Sequence, residues 1–97
     1  MSREIREIRA EFGQLLGRAE YLDGKPHGVA RLWSENGTLT LEASFRAGEY
    51  HGQYRSWWDT GVLKEEGTYA DGKRIGTYRW YAENGDLWQE HIYDGAL

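Results

Sequence analysis

The chain has 97 residues, a size typical of one small domain, and 14% of them are aromatic although 29% are charged. It contains no Cys, which excludes a disulfide framework and thiolate chemistry and is typical of a cytoplasmic protein. The net charge of −4 disfavours a nucleic-acid partner, since binding to a polyanion needs clustered Lys and Arg, and it favours a basic protein partner.

Residues 1–17 have the pattern of an amphipathic helix. Ser2 is a candidate N-cap and Gly17 a candidate stop signal. Apolar side chains recur at helical spacing at Ile5, Ile8, Phe12, Leu15 and Leu16. The sequence therefore predicts a helix over residues 3–16 that packs on one face or end of the remaining chain, with docking into a partner as the alternative.

The same N-terminal segment lacks the apolar h-region of a signal peptide. No apolar run in the sequence approaches the roughly 18 residues of a membrane span. We therefore expect a cytoplasmic protein without stable membrane insertion.

A repeated block fills the chain from residue 21 onwards, with no gap between one copy and the next. The three blocks are "YLDGKPHGVARLWSENGTLTLEAS" (21–44), "FRAGEYHGQYRSWWDTGVLKEEGT" (45–68) and "YADGKRIGTYRWYAENGDLWQEHI" (69–92), and "YDGAL" begins a fourth. Six positions are identical in all three blocks: Gly24/Gly48/Gly72, Gly28/Gly52/Gly76, Arg31/Arg55/Arg79, Gly37/Gly61/Gly85, Leu39/Leu63/Leu87 and Glu42/Glu66/Glu90. The sequence thus predicts a single domain, 1–97, made of an N-terminal helix (1–17) and a repeat array (18–97).

Two turn signals occur in each block. "SENG", "WDTG" and "AENG" predict two-residue hairpin turns, and "DGKPHG", "AGEYHG" and "DGKRIG" predict longer ones. The runs between the turns have the length and composition of strands. Strands are predicted at 18–22, 29–34, 38–46, 53–58, 62–70, 77–82 and 86–93, which gives a mainly β fold: an antiparallel meander of about three repeats plus the helix.

A two-residue turn at Asn36-Gly37 places Arg31 opposite Glu42, and the equivalent turns place Arg55 opposite Glu66 and Arg79 opposite Glu90. This register predicts one charged face, with Arg31, Trp33, Glu42, Arg55, Trp57, Glu66, Arg79, Tyr81, Trp88 and Glu90. It predicts a more apolar opposite face, covered by the helix, with Leu32, Leu39, Leu41, Phe45, Tyr54, Trp58, Leu63, Tyr69, Tyr78, Trp80, Leu87 and Tyr93.

The pattern Y-x-D-G-K-x-x-G-x-x-x-x-W-x-x-N-G-x-L-x-x-E resembles a bacterial variant of the MORN repeat. It is matched best by Tyr21–Glu42 and Tyr69–Glu90, and more loosely by Phe45–Glu66, where Thr60 and Ala47 replace Asn and Asp. The resemblance implies β-hairpin arrays. It also implies two kinds of function: antitoxins or immunity-like proteins, and scaffolds or membrane-surface modules.

The residues carry no catalytic constellation, and we expect a non-enzyme without metal or cofactor. His27 and His51 recur, but Ile75 stands at the third equivalent position. Arg79 between Tyr78 and Trp80 is typical of single-strand nucleic-acid binding. Strand alternation, however, turns those two rings to the face opposite Arg79.

The preferred hypothesis is a small protein-binding module that inhibits a partner protein, as an antitoxin, an immunity protein or a phage-type inhibitor. The alternative is a MORN-type scaffold or membrane-surface module, and weak self-association through edge strands remains open. The candidate protein-binding residues are Trp33, Arg55, Trp57, Arg79, Tyr81 and Trp88, because Trp, Tyr and Arg dominate binding hot spots. The alternative is that Trp33, Trp57 and Tyr81 only cover the stems of the neighbouring arginines.

Overall fold

The computed structural model describes residues 2–94, which form one antiparallel sheet of eight strands. The strands are β1 Arg3–Arg9, β2 Leu15–Leu22, β3 Lys25–Trp33, β4 Leu39–Arg46, β5 Glu49–Trp57, β6 Leu63–Ala70, β7 Lys73–Tyr81 and β8 Leu87–Tyr93. They pair in chain order, so the sheet is a simple meander. Its Cα extents of 37 × 36 × 11 Å are those of a single layer, and nothing in residues 2–94 forms a second layer on either face.

Five residues separate β1 from β2, β3 from β4, β5 from β6 and β7 from β8, and a hydrogen bond between the first and the fifth encloses a three-residue loop. In the β3–β4 loop the Ser34 N–H donates to the Thr38 carbonyl and the Gly37 N–H donates to the Ser34 carbonyl, both at 2.9 Å. Gly37 has a φ of 89°, a left-handed conformation that glycine adopts without steric cost. This is the three-residue hairpin loop with a glycine bulge.

Two-residue turns join the hairpins to one another. At Asp23-Gly24, Ala47-Gly48 and Asp71-Gly72 both central residues have positive φ, which defines the type I′ turn. The sequence-based assignment of turn lengths was therefore wrong in both places: the Asn-Gly sites form the longer loops and the Asp-Gly sites form the tight turns. The reason is that type I′ needs two consecutive left-handed residues, whereas the loop at Asn36-Gly37 uses only the glycine in that conformation.

The predicted cross-strand pairs are nevertheless confirmed. Arg31 lies opposite Glu42, Arg55 opposite Glu66, and Arg79 opposite Glu90. A β-bulge next to each three-residue loop inserts one extra residue, so the register shifts by one between Leu32 and Trp33. The loop is one residue longer than the predicted turn, and the bulge cancels the resulting shift in register. The two-residue turn assumed from the sequence therefore gave the correct pairs.

The predicted helix over residues 3–16 is wrong, because no described residue is helical. The segment forms β1, a loop closed by hydrogen bonds between Ala10 and Gln14, and the start of β2. Gly13 has a φ of 91° and stands one repeat length before Gly37, so this hairpin is a further, degenerate copy of the repeat. An isolated helix of this length is marginal, whereas pairing satisfies the backbone groups that β1 and β2 turn towards each other.

Since there is no helix in residues 2–94, none is long and apolar enough to span a membrane. Nor does a helix cover the apolar face of the sheet, as the sequence had suggested. Within the described chain, Ala43 and Tyr78 are the only buried apolar side chains, and Ser56 is the only buried polar one. The core is therefore a thin cluster of side chains lying on the sheet itself.

Candidate functional site

One row of charged side chains crosses the whole sheet, with one residue from each strand. In strand order the row is Glu7, Arg18, Arg31, Glu42, Arg55, Glu66, Arg79 and Glu90. Directly opposed residues of neighbouring strands share a face, so all eight project from the same side. We call this side the row face.

Ion pairs order most of the row. Arg31 Nε lies 2.8 Å from Glu42 Oε2, and Arg79 Nε lies 2.7 Å from Glu90 Oε2. The hydrogen bond to Glu90 raises the pKa of the Arg79 guanidinium above its ordinary value. These side chains are all partly exposed, so the pairs fix geometry more than they add stability.

Arg55, at the centre of the row, is the exception. It lies opposite both Glu42 and Glu66, yet within residues 2–94 no carboxylate comes within 4.0 Å of its guanidinium. Glu66 is engaged elsewhere, because it lies 3.6 Å from Arg79 and accepts a 2.8 Å hydrogen bond from the Tyr81 hydroxyl. That hydrogen bond raises the pKa of Tyr81. An exposed arginine is thus left free for an external carboxylate or carbonyl group.

Aromatic side chains flank the row at regular intervals. Trp33, Trp57 and Tyr81 each lie two residues beyond a row arginine and therefore on the row face, and all three are half-buried. Leu39, Leu63 and Leu87 lie opposite these rings, so the placement of the three leucines on the other face was wrong. The bulge next to each loop moves them to the row face.

The opposite side, which we call the aromatic face, carries a cluster of rings. Tyr78 is fully buried, with its ring centroid 4.7 Å from that of Trp80, 6.1 Å from Tyr69 and 6.4 Å from Tyr54. Burial, together with hydrogen bonds to Tyr69 and Glu65, raises the pKa of Tyr78. Burial also raises the pKa of Tyr54, to about 12.

Arg74 covers this cluster, and sequence reasoning missed it. Its guanidinium carbon lies 4.5 Å from the Tyr78 ring centroid, and its Nε donates to the Tyr69 hydroxyl at 3.1 Å. Burial lowers the pKa of Arg74, but hydrogen bonds to Tyr69 and Tyr93 raise it overall. The repeat gave no signal for this role, because the equivalent positions are Pro26 and Tyr50.

Trp88 lies in a groove that only one other candidate binding residue, Tyr81, also lines. Trp33, Arg55, Trp57, Arg79 and Tyr81 all lie on the row face, and Trp88 lines a groove of about 370 Å³ with Trp58, Lys64, Trp80 and Tyr81. Trp80 belongs to the aromatic face and Tyr81 to the row face, so Trp88, predicted on the charged face, lies beside residues of both faces. Trp88 is the extra residue of the bulge in β8, which displaces its side chain from the regular alternation.

The recurring histidines have a structural role. Nδ1 of His27 accepts a hydrogen bond from the Ala47 N–H, and Nδ1 of His51 accepts one from the Asp71 N–H, both at 3.2 Å. Each histidine thus ties the tight turn of the next repeat to its own strand. Across residues 2–94 no group of three or more potential metal ligands is assembled.

A family model described as a MORN repeat variant matches the chain three times, at residues 26–47, 50–71 and 74–94, which together exceed half of its length. Each match covers one hairpin, β3–β4, β5–β6 or β7–β8, closed by a three-residue loop. The degenerate β1–β2 hairpin lies outside the matches. No curated protein and no solved structure matches the chain.

Proposed function

The chain belongs to the MORN repeat variant family, whose repeats serve as scaffolds or binding modules, and from this premise we propose that it binds and inhibits a partner protein through its row face. The observation that carries the proposal is Arg55, an exposed arginine without an ion pair in residues 2–94, beside the half-buried ring of Trp57. Arginine and tryptophan are the residue types most enriched in binding hot spots.

The geometry of the row face suits a flat protein surface. Trp33, Trp57 and Tyr81 stand on alternate strands, about 10 Å apart from one to the next. Their half-burial fixes the rings before binding, which lowers the entropy cost of forming an interface.

The net charge of −4 favours a basic partner through electrostatic steering. Inhibition, in the manner of an antitoxin, an immunity protein or a phage-type inhibitor, then follows from covering the partner's working surface. No chemistry by the inhibitor itself is required.

The test begins with affinity capture of the partner from the native cell. We expect Trp57→Ala and Arg55→Ala each to weaken the complex by more than about 1 kcal/mol, measured by calorimetry. Phe12→Ala is the matched control, since it removes a 96% exposed aromatic side chain from the β1–β2 loop, outside the row face, and should change the affinity little.

Inhibition has its own measurement. The captured partner should lose activity when wild-type protein is added and keep it when Trp57→Ala is added at the same concentration. If both row-face variants bound as tightly as wild type, the row face would not be the interface. Co-sedimentation with anionic vesicles in place of protein capture would favour the scaffold or membrane-surface alternative.

A further inference from the structure

The outer edge of β8 is a free strand edge in the described chain. β8 pairs with β7 on one side, and no strand within residues 2–94 pairs with it on the other. Apolar side chains remain exposed along it, with Leu87 at 53%, Trp88 at 70% and Ile92 at 71%. An exposed apolar edge offers unpaired backbone groups to an incoming strand.

The interior of the sheet shows which kind of strand fits this edge. β4 and β6 are the counterparts of β8 in the earlier repeats, and each pairs with a following strand that places an arginine opposite the conserved glutamate. These pairs are Glu42 with Arg55 and Glu66 with Arg79. β8 presents the same carboxylate at Glu90, which is 41% exposed and has no strand beyond it in the described residues.

Aromatic side chains accompany the arginine in the following strands. Tyr54 precedes Arg55, and Tyr78 and Trp80 flank Arg79. These rings build the cluster on the aromatic face. On the side of this cluster nearest β8, the groove lined by Trp58, Lys64, Trp80 and Trp88 remains open.

A second copy of the chain does not meet this requirement. Of its two free edges, β8 contains no arginine, and β1, the counterpart of β3, β5 and β7, has Glu7 in the register position of the row arginine. Continuing the sheet with β1 of another molecule would therefore place Glu7 opposite Glu90. Like charges directly opposite each other destabilise strand pairing.

We propose that the outer edge of β8 binds an extended segment of a partner protein that carries an arginine flanked by aromatic residues. The segment adds as a ninth, antiparallel strand, its arginine lies opposite Glu90, and its aromatic side chains extend the cluster beside Trp88. This inference rests on the proposed function in requiring a protein partner, but it locates a contact that does not involve the row-face rings.

The probe is a fluorescein-labelled synthetic peptide with the sequence of residues 74–82, "RIGTYRWYA", which copies a strand that the sheet already accepts. Fluorescence anisotropy should show saturable binding below about 100 μM. The same peptide with Glu in place of the arginine at position 79 should bind about 3- to 10-fold more weakly. Trp88→Ala should also weaken binding of the original peptide.

Charge reversal provides the decisive comparison. Glu90→Arg should weaken binding of the arginine peptide and restore binding of the glutamate peptide, because the opposed charges become complementary again. Circular dichroism and urea midpoints would verify that each protein variant is folded. Absence of saturable binding up to about 1 mM, or equal affinity for both peptides with both proteins, would overturn the proposal.

Two further measurements separate the alternatives. Light scattering on the protein alone tests self-pairing, and a concentration-dependent dimer of the wild-type protein that Trp88→Ala abolishes would assign the edge to a second copy instead. Trp57→Ala and Arg55→Ala should leave peptide affinity unchanged. Failure at the β8 edge is thereby distinguishable from failure of the row-face interface.

Discussion

Gly67 and Tyr78 show how a sheet without a second layer buries a large ring. A Cβ built on Gly67 would lie 2.0 Å from Tyr78 Cδ2, so the ring rests directly on the backbone of β6. In the preceding repeat the equivalent pair is Ala43 with Tyr54, and there the alanine is buried while the tyrosine is half-buried. The glycine is what allows Tyr78 to be fully buried.

Gly67→Ala should lower the free energy of unfolding by about 1–3 kcal/mol, because the ring must leave its position. Urea denaturation measures the loss. In a Tyr78→Val background the same substitution should cost nothing or stabilise slightly, since the space above Gly67 is then open. An equal loss in both backgrounds would mean that the glycine serves another purpose.

The half-buried phenol of Tyr54 and the buried phenol of Tyr78 make stability sensitive to alkaline pH. The pKa of Tyr54 is about 12 in the folded protein, against about 10 for a free phenol. The folded state thus holds the proton more strongly than the unfolded chain, so its contribution to stability is complete below pH 10 and is lost as the pH rises towards 12. Urea midpoints measured across this range should fall more steeply for wild type than for Tyr54→Phe/Tyr78→Phe. If the urea midpoints of both proteins fell equally with pH, the two phenols would not cause the loss of stability.

At the scale of single elements, the repeat contains two turn types with different roles. Three-residue loops close each hairpin, and type I′ turns link one hairpin to the next. Asp23 and Asp71 adopt positive φ with little cost, as Asp and Asn often do, but Ala47 occupies the same conformation at 50°. The middle repeat therefore carries a strained turn.

Ala47→Asn should raise the free energy of unfolding by about 0.5–1 kcal/mol by relieving that strain. Ala47→Val should act in the opposite direction, because a β-branched residue is still less compatible with positive φ. Both side chains would be exposed at this turn, so neither substitution changes packing. Identical urea midpoints for the two variants would show that the turn conformation does not limit stability.

The N-terminal hairpin shows why the helix prediction failed. Ile5, Ile8, Phe12, Leu15 and Leu16 do have helical spacing. However, Phe12 lies in the loop and is 96% exposed, while Ile8 lies beside Gly17 across the hairpin. The useful signal was the pair Gly13 and Leu15, which stand one repeat length before Gly37 and Leu39.

At the scale of the whole molecule, each described strand pairs only with its neighbours in the chain, so the array has a free edge at each end. The N-terminal hairpin reverses the order of the row charges. Glu7 stands on β1 and Arg18 on β2, which leaves Arg18 opposite Arg31 inside the sheet. The like-charge pair Arg18–Arg31 is therefore unfavourable inside the sheet, while the Glu7 carboxylate lies at the β1 edge. Charged residues on an edge strand oppose pairing with another chain.

Exchanging the two charges, in Glu7→Arg/Arg18→Glu, should restore the alternating row and make the β1 edge complementary to Glu90 of another molecule. We expect the average mass measured by light scattering to increase with protein concentration more than for wild type, and salt to suppress the increase. Glu7→Gln/Arg18→Gln is the matched control, since it removes the charges without creating complementarity. A swapped variant that behaves like this control would show that charge order does not govern edge pairing.

The sequence by itself determined the repeat, the meander and the pairing of Arg31 with Glu42 and its two counterparts, because a constant repeat length and fixed turn glycines leave few registers open. Only the tertiary structure decided the lengths of the turns, the placement of Trp88 and the strand at the N-terminus. These depend on bulges and on pairing with a neighbouring strand, which local periodicity does not encode. Arg55 likewise lacks an ion pair because Arg79 and the Tyr81 hydroxyl both engage Glu66, an arrangement that exists only once the strands are side by side.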